Sequence, residues 1–349
     1  MVIKEDKRRC CWELNDFLGQ IKLNNKILIQ KRCKVNTKKS SSKEPGYAWL
    51  LIVVIVTWGI VPGLAQLGNL DGDITTFYVN WIAVIAITIL ITIQGGWSKF
   101  RKYDWKDYLK MIGLGLIWPF IYSVTYFQSI KLVGAAFTTI LNYTWPIFFM
   151  VISAVLLGRK SVYLNRKSFR FILPVLLAVA SVVVYVVGTK STDAVHNLAI
   201  TYGLIAAFTQ ALFCYLTGNV NYDDWVLTFV IEVVTAVLVT PLVLARSSLI
   251  LPDLKVIWYL IIVGAISNGV GFWAFVKGTR LSTINANKHG KSSDPLWLIG
   301  TSAIPTSQII LLPLMKIPVN ASMIFSLVLI GLSLVLYKIF NNNDRKESV

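Results

Sequence analysis

The sequence predicts an all-α integral membrane protein: ten transmembrane helices arranged as two inverted five-helix repeats. Three observations predict it. The chain of 349 residues is 55% hydrophobic and only 15% charged, with a mean hydropathy of +0.64, far from the roughly 25% charged of soluble domains. Apolar runs of membrane length recur ten times. The 34 Lys+Arg, against 17 Asp+Glu, avoid those runs and collect on alternate connections, so the net charge of +17 reads as a topology signal and excludes a basic nucleic-acid binder.

In order, the runs lie near Tyr47–Leu67, Ile74–Ile93, Tyr108–Ser129, Val133–Leu157, Phe169–Val187, Leu198–Leu216, Trp225–Ala245, Val256–Val276, Leu296–Met315 and Ala321–Phe340. Each has roughly 19–25 residues, enough to cross a hydrocarbon core. They are continuous instead of alternating, which predicts helices, because lipid offers no partner to an open backbone. Residues 1–46 form a basic N-terminal tail, 47–188 the first repeat, 198–340 the second, and 341–349 a C-terminal tail. The N-terminal tail shows no signal-peptide pattern. Leu14, Phe17, Leu18 and Ile21 share one helical face beside Lys22 and Lys26, so an interfacial helix or a mobile basic tail near anionic lipid is expected.

With the N-terminus in the cytoplasm, the tail's cations, Lys99 to Lys110, Arg159 to Arg170, Lys277 to Lys291 and Lys338 to Lys346 all fall inside. Lys131, Lys190, Arg246, Lys255 and Lys316 remain outside. Both termini are therefore expected in the cytoplasm, in the inner membrane. The connection Asn219–Asp224 dissents, holding Asp223 and Asp224 and no cation on the predicted inner side.

Shifting the chain by 149 residues sets Gly115 on Gly264, Lys131-Leu132 on Arg280-Leu281, Pro146 on Pro295 and Ala154 on Ala303. Five spans per repeat is odd, so the halves insert with opposite orientation, which places a site near the midplane between them. Candidate substrate-binding residues are Trp58, Trp118, Tyr122, Asn142, Tyr143, Trp145, Gln210, Asn268 and Trp273, an aromatic pocket with a few polar handles. Candidate coupling or gating residues are Glu232, Pro146, Pro295, Lys288, His289 and Asp294. Glu232 is an acid inside a span, which asks for a functional or paired role. The two prolines remove backbone donors. The polar run 285–294 reads either as a loop or as the inner mouth of the cavity. Trp49, Trp97, Trp105 and Trp258 near span ends read as interfacial anchors.

The segment Lys131 to Trp145-Pro146 and on to Leu157-Gly158, with Asn142-Tyr143-Thr144-Trp145-Pro146 at its centre, resembles the fourth helix of EamA-type drug/metabolite transporters. Its nearest similarity is to bacterial aromatic amino-acid exporters. The resemblance covers about residues 47–340 and implies two five-helix repeats and export or exchange of a small metabolite, an amino acid and perhaps an aromatic one. Two departures stand out: Arg159 follows Leu157-Gly158 where the family often has an acid, and the second-repeat copy, Thr283 to Pro295, is more polar than a usual ninth helix.

The expected function is a secondary active transporter moving a small organic solute outward by alternating access, as a monomer or homodimer. No cofactor, metal or nucleic acid is expected: there is no Gly-x4-Gly-Lys-Ser/Thr loop, only two histidines, and no paired Cys-x-x-Cys. The alternatives are a membrane-embedded enzyme acting on a lipid-linked substrate and a transport-dead sensor signalling through the tail.

Overall fold

The structure is a computed structural model that describes residues 48–156, most of 173–188, and 194–217, 220, 222–246, 251–288 and 321–346. The tail, the expected ninth span, His289, Lys291, Asp294 and Pro295 lie outside the described residues, as does part of the expected fifth span. Asn285, Asn287 and Lys288 are helical backbone, so the described part of the polar run continues a helix.

Every described element is helical, as continuous apolar runs require. They are α1 (Ala48–Gly68), α2 (Gly72–Ile93), a 3-10 turn at Gly96–Lys102, and α3 (Trp105–Val133). Then come α4 (Ala135–Asn142), α5 (Trp145–Leu156), α6 (Ala194–Thr217), α7 (Asp224–Ala245), α8 (residues 254–288) and α9 (Ala321–Lys346). Five of them are long and apolar enough to cross a membrane: α2, α3, α6, α7 and the Leu254–Gly278 portion of α8; α1 and α9 contain shorter apolar helices. Ile85, Ile89 and Ile93 form an exposed stripe on α2, while Val79, Ala83 and Ile87 on its other side are buried. Apolar residues on both faces are what a helix between lipid and protein requires. Trp49, Trp97, Trp105 and Trp258 are exposed.

The expected fourth span, Val133–Leu157, is not continuous. It divides into α4 and α5 at Tyr143-Thr144, and Gly134 ahead of it takes φ 85°, a turn conformation that favours glycine. The break follows from Pro146, which has no N–H to continue the ladder. Thr144 closes the gap locally: its hydroxyl donates to the Leu141 carbonyl at 2.8 Å, and its own carbonyl accepts from Ile147 N at 2.9 Å.

Helices α2 and α7 pack against each other along an extensive face. They run antiparallel, because Arg246 meets Asp73 (2.9 Å) while Trp81 Nε1 donates to Thr240 Oγ1 (3.1 Å). Both have 22 residues, and both are preceded by an aspartate in extended conformation, Asp71 and Asp223. Details repeat at a spacing of 152 residues. Thr76 Oγ1 donates to the Gly72 carbonyl and Thr228 Oγ1 to that of Asp224; Thr57 donates to Val54 and Thr209 to Ala206. In α3 and α8 the spacing is 149. Gly115 lies against Ile231 and Val234 of α7, and Gly264 against Val79 and Ile82 of α2, two pairs of positions that themselves stand 152 residues apart. A connection three residues shorter between α7 and α8 than between α2 and α3 accounts for the change of spacing.

Candidate functional site

Two π-helical stretches, Leu116–Ile121 in α3 and Ile262–Gly271 in α8, interrupt otherwise regular helices at matched positions. Such wide turns are common at functional sites because they turn side chains off the helical register. In α3 the cause is Pro119. The residue before a proline is pushed out of helical backbone, and Trp118 is extended at φ −149°, ψ 124°. The Gly115 carbonyl, which an α-helical residue 119 would have bonded, lies 3.4 Å from Thr235 Oγ1, whose shorter bond goes to the Ile231 carbonyl at 3.0 Å.

Trp118 and Pro119 form part of a cavity with Trp58, Val61 and Pro62 of α1, Tyr122, Ser123, Tyr126 and Phe127 of α3, and Asn142, Tyr143, Trp145, Gln210 and Asn268. Its volume, measured as space open to the centre of a water-sized sphere, is about 70 Å³. One water needs about 10–15 Å³ on that measure, so the cavity suits several waters or a small solute. Its walls are mainly aromatic: Trp58 and Trp118 centroids are 6.0 Å apart, Trp118 and Tyr122 5.5 Å, and Tyr122 and Tyr126 stack at 5.3 Å. Asn142 Nδ2 donates to Tyr122 OH (3.2 Å) and Gln210 Oε1 (3.3 Å), tying α3, α4 and α6 together. Trp58 Nε1 donates to the Ser267 carbonyl (3.4 Å) and Ser267 Oγ to that of Thr57 (2.8 Å), tying α1 to α8.

Eight of the nine sequence-predicted binding residues therefore lie around one cavity, and Trp273 does not. Trp273 stacks on Trp225 at 4.6 Å with Lys277 Nζ 4.7 Å above its ring, a packing and cation–π role. Val61, Pro62, Pro119, Ser123 and Phe127 also line it and were not anticipated; the prolines inside apolar runs were the available signal. Among the gating candidates, Pro146 sits at the α4–α5 break and Glu232 is fully buried in α7, neither of them on the cavity wall.

Polar contacts link the helices at each end of the bundle. At one end, Arg246 pairs with buried Asp73, and Lys131 Nζ donates to the Asn69 carbonyl and Oδ1 at 2.6 and 2.9 Å. At the other, Arg280 pairs with buried Asp224 at 2.7 Å and Lys99 with Asp223 at 3.1 Å. Lys131 and Arg280 are the matched cations of the 149-residue spacing. These contacts also account for the dissenting acidic connection: the cations of neighbouring connections neutralise Asp223 and Asp224 in place. Beside them, Tyr103 OH accepts from Asp223 N at 2.6 Å, and burial together with neighbouring Asp107 pushes the Tyr222 phenol up to about 12. No group of three potential metal ligands converges among the described residues.

Residues 45–186 match the family model of EamA-like transporters. No curated protein sequence matches the chain. Solved structures share the fold; one crystal structure matches with a TM-score of 0.60 at 16% identity, over 85% of this chain and 98% of the other.

Proposed function

From the match of residues 45–186 to the EamA-like transporter family model, we propose that this multi-pass membrane protein is a secondary transporter that carries a small organic metabolite through the aromatic cavity by alternating access. The single observation that carries the reading is an aromatic cavity with polar contacts linking the helices at both ends, Lys131 at one and its 149-residue counterpart Arg280 at the other. A solute path of this kind needs a site that faces either side but never both, and breakable polar contacts at each end can serve as the two gates. The recurrence of the contacts of Gly115 and Gly264, and of the threonine bonds in α1/α6 and α2/α7, supports two inverted five-span repeats within a ten-span whole. The cation distribution supports cytoplasmic termini, with the Arg280–Asp224 contact facing the cytoplasm. An amino acid moved outward, aromatic ones included, is the cargo that the resemblance implies.

The test is solute counterflow in proteoliposomes with a panel of amino acids, nucleosides and polyamines. Saturable exchange of at least one is expected; absence of exchange for every compound, from correctly inserted protein, rejects the transport reading.

A further inference from the structure

Two buried polar atoms around the cavity have no hydrogen-bond partner among the described residues: Asn142 Oδ1 and Trp118 Nε1. Asn142 is 6% exposed and Trp118 7%, so bulk water does not serve them. They are opposite in kind. Asn142 commits its Nδ2 to Tyr122 and Gln210, which leaves its oxygen as an acceptor, and an indole nitrogen can only donate. An unserved buried polar group is costly, and a ligand that serves it recovers that cost on binding. The same cavity is lined by the rings of Trp58, Tyr122 and Tyr126, which favour a flat apolar body.

Resting on the transporter reading above, we propose that the cavity selects a small planar or aromatic solute of no net charge whose polar end carries both a donor and an acceptor. The donor meets Asn142 Oδ1 and the acceptor meets Trp118 Nε1. An anion with acceptors alone leaves Asn142 Oδ1 unserved, and a cation with donors alone leaves the indole N–H unserved. Discrimination of this type, where the site's own polar group is stranded by the wrong ligand, is worth about tenfold or more per group.

Three probes of the same shape isolate the effect: benzamide, with donor and acceptor; benzoate, with acceptors only; and benzamidinium, with donors only. Their binding to the full chain, purified in detergent, is measured by calorimetric titration, which is independent of flux. Benzamide is expected to bind at least tenfold more tightly than either ion. Asn142→Asp turns the acceptor into a carboxylate and is expected to reverse the order in favour of benzamidinium. Trp118→Phe keeps the aromatic wall and removes the donor; it is expected to weaken benzamide about tenfold and leave benzamidinium nearly unchanged. Equal binding of the three probes, no binding of benzamide, or an order unmoved by both variants overturns the proposal. Charge-selective binding without counterflow would reject the transport reading alone, and counterflow without charge-selective binding would reject this one alone.

Discussion

Gly264 offers a quantitative test of how the helices are held together. A Cβ at this position would stand 2.6 Å from the Val79 carbonyl oxygen and 2.8 Å from Ile82 Cβ, both on α2. Comfortable contact begins at about 3.5 Å, so Gly264→Ala requires α8 and α2 to part by roughly 0.7–0.9 Å. The obstruction includes backbone, which no rotamer change relieves, and overpacking of this kind costs about 1–3 kcal/mol. The equivalent change Gly115→Ala meets α7 at 3.0–3.2 Å and should cost less. Gly113→Ala meets nothing within 4 Å, and alanine's better helix propensity makes it neutral or slightly stabilising. Thermal unfolding of the purified variants, followed by intrinsic fluorescence, should rank them Gly264→Ala, Gly115→Ala, Gly113→Ala from lowest to highest midpoint, with the first lowered by roughly 2–10 °C. A Gly264→Ala midpoint equal to that of the parent would refute the close approach of α8 to α2, and with it the packing equivalence of α3 and α8.

Two further predictions concern the gates and Glu232. With Ser123→Cys as a reporter in the cavity wall, on a background lacking Cys10, Cys11, Cys33 and Cys214, Arg280→Ala should raise labelling by an impermeant thiol reagent several-fold from the side of Lys99 and Asp223. Lys131→Ala should do so from the opposite side, and labelling that ignores the side of the broken contact would remove these pairs from gating. Glu232 is fully buried, and neither carboxylate oxygen has a partner among the described residues. Glu232→Gln should therefore preserve folding while abolishing any acceleration of flux by an imposed pH gradient; retained acceleration assigns coupling elsewhere.

What the sequence made legible follows from which forces act locally. Apolar length announces a span because lipid enforces it residue by residue, so α2, α6 and α7 fall within a few residues of expectation. The break between α4 and α5 was hidden because Tyr143 and Thr144 sit inside an unbroken apolar run, and only the Thr144 contacts show how Pro146 is accommodated. The matched contacts of α1 with α6 and of α2 with α7 are not visible at the 149-residue spacing because the intervening connection differs by three residues, and few identities mark them, among them Thr57/Thr209 and Thr76-Phe77/Thr228-Phe229. For the cavity, residue type was informative where aromatic and amide side chains neighbour prolines, as at Trp118 and Asn142. It misled at Trp273, whose place is set by Trp225, a partner 48 positions away that periodicity does not reveal. Asp223 and Asp224 looked anomalous for the same reason: Lys99 and Arg280 reach them only in three dimensions.

The most direct test of the central claim is whether solute passes through the aromatic cavity. Counterflow is measured in proteoliposomes before and after a bulky thiol reagent, for Ser123→Cys in the cavity wall and Ile85→Cys on the exposed face of α2, each variant serving as its own reference. The account predicts that modification stops exchange in Ser123→Cys and leaves Ile85→Cys unaffected. Exchange that survives complete modification of the cysteine at position 123 would contradict it.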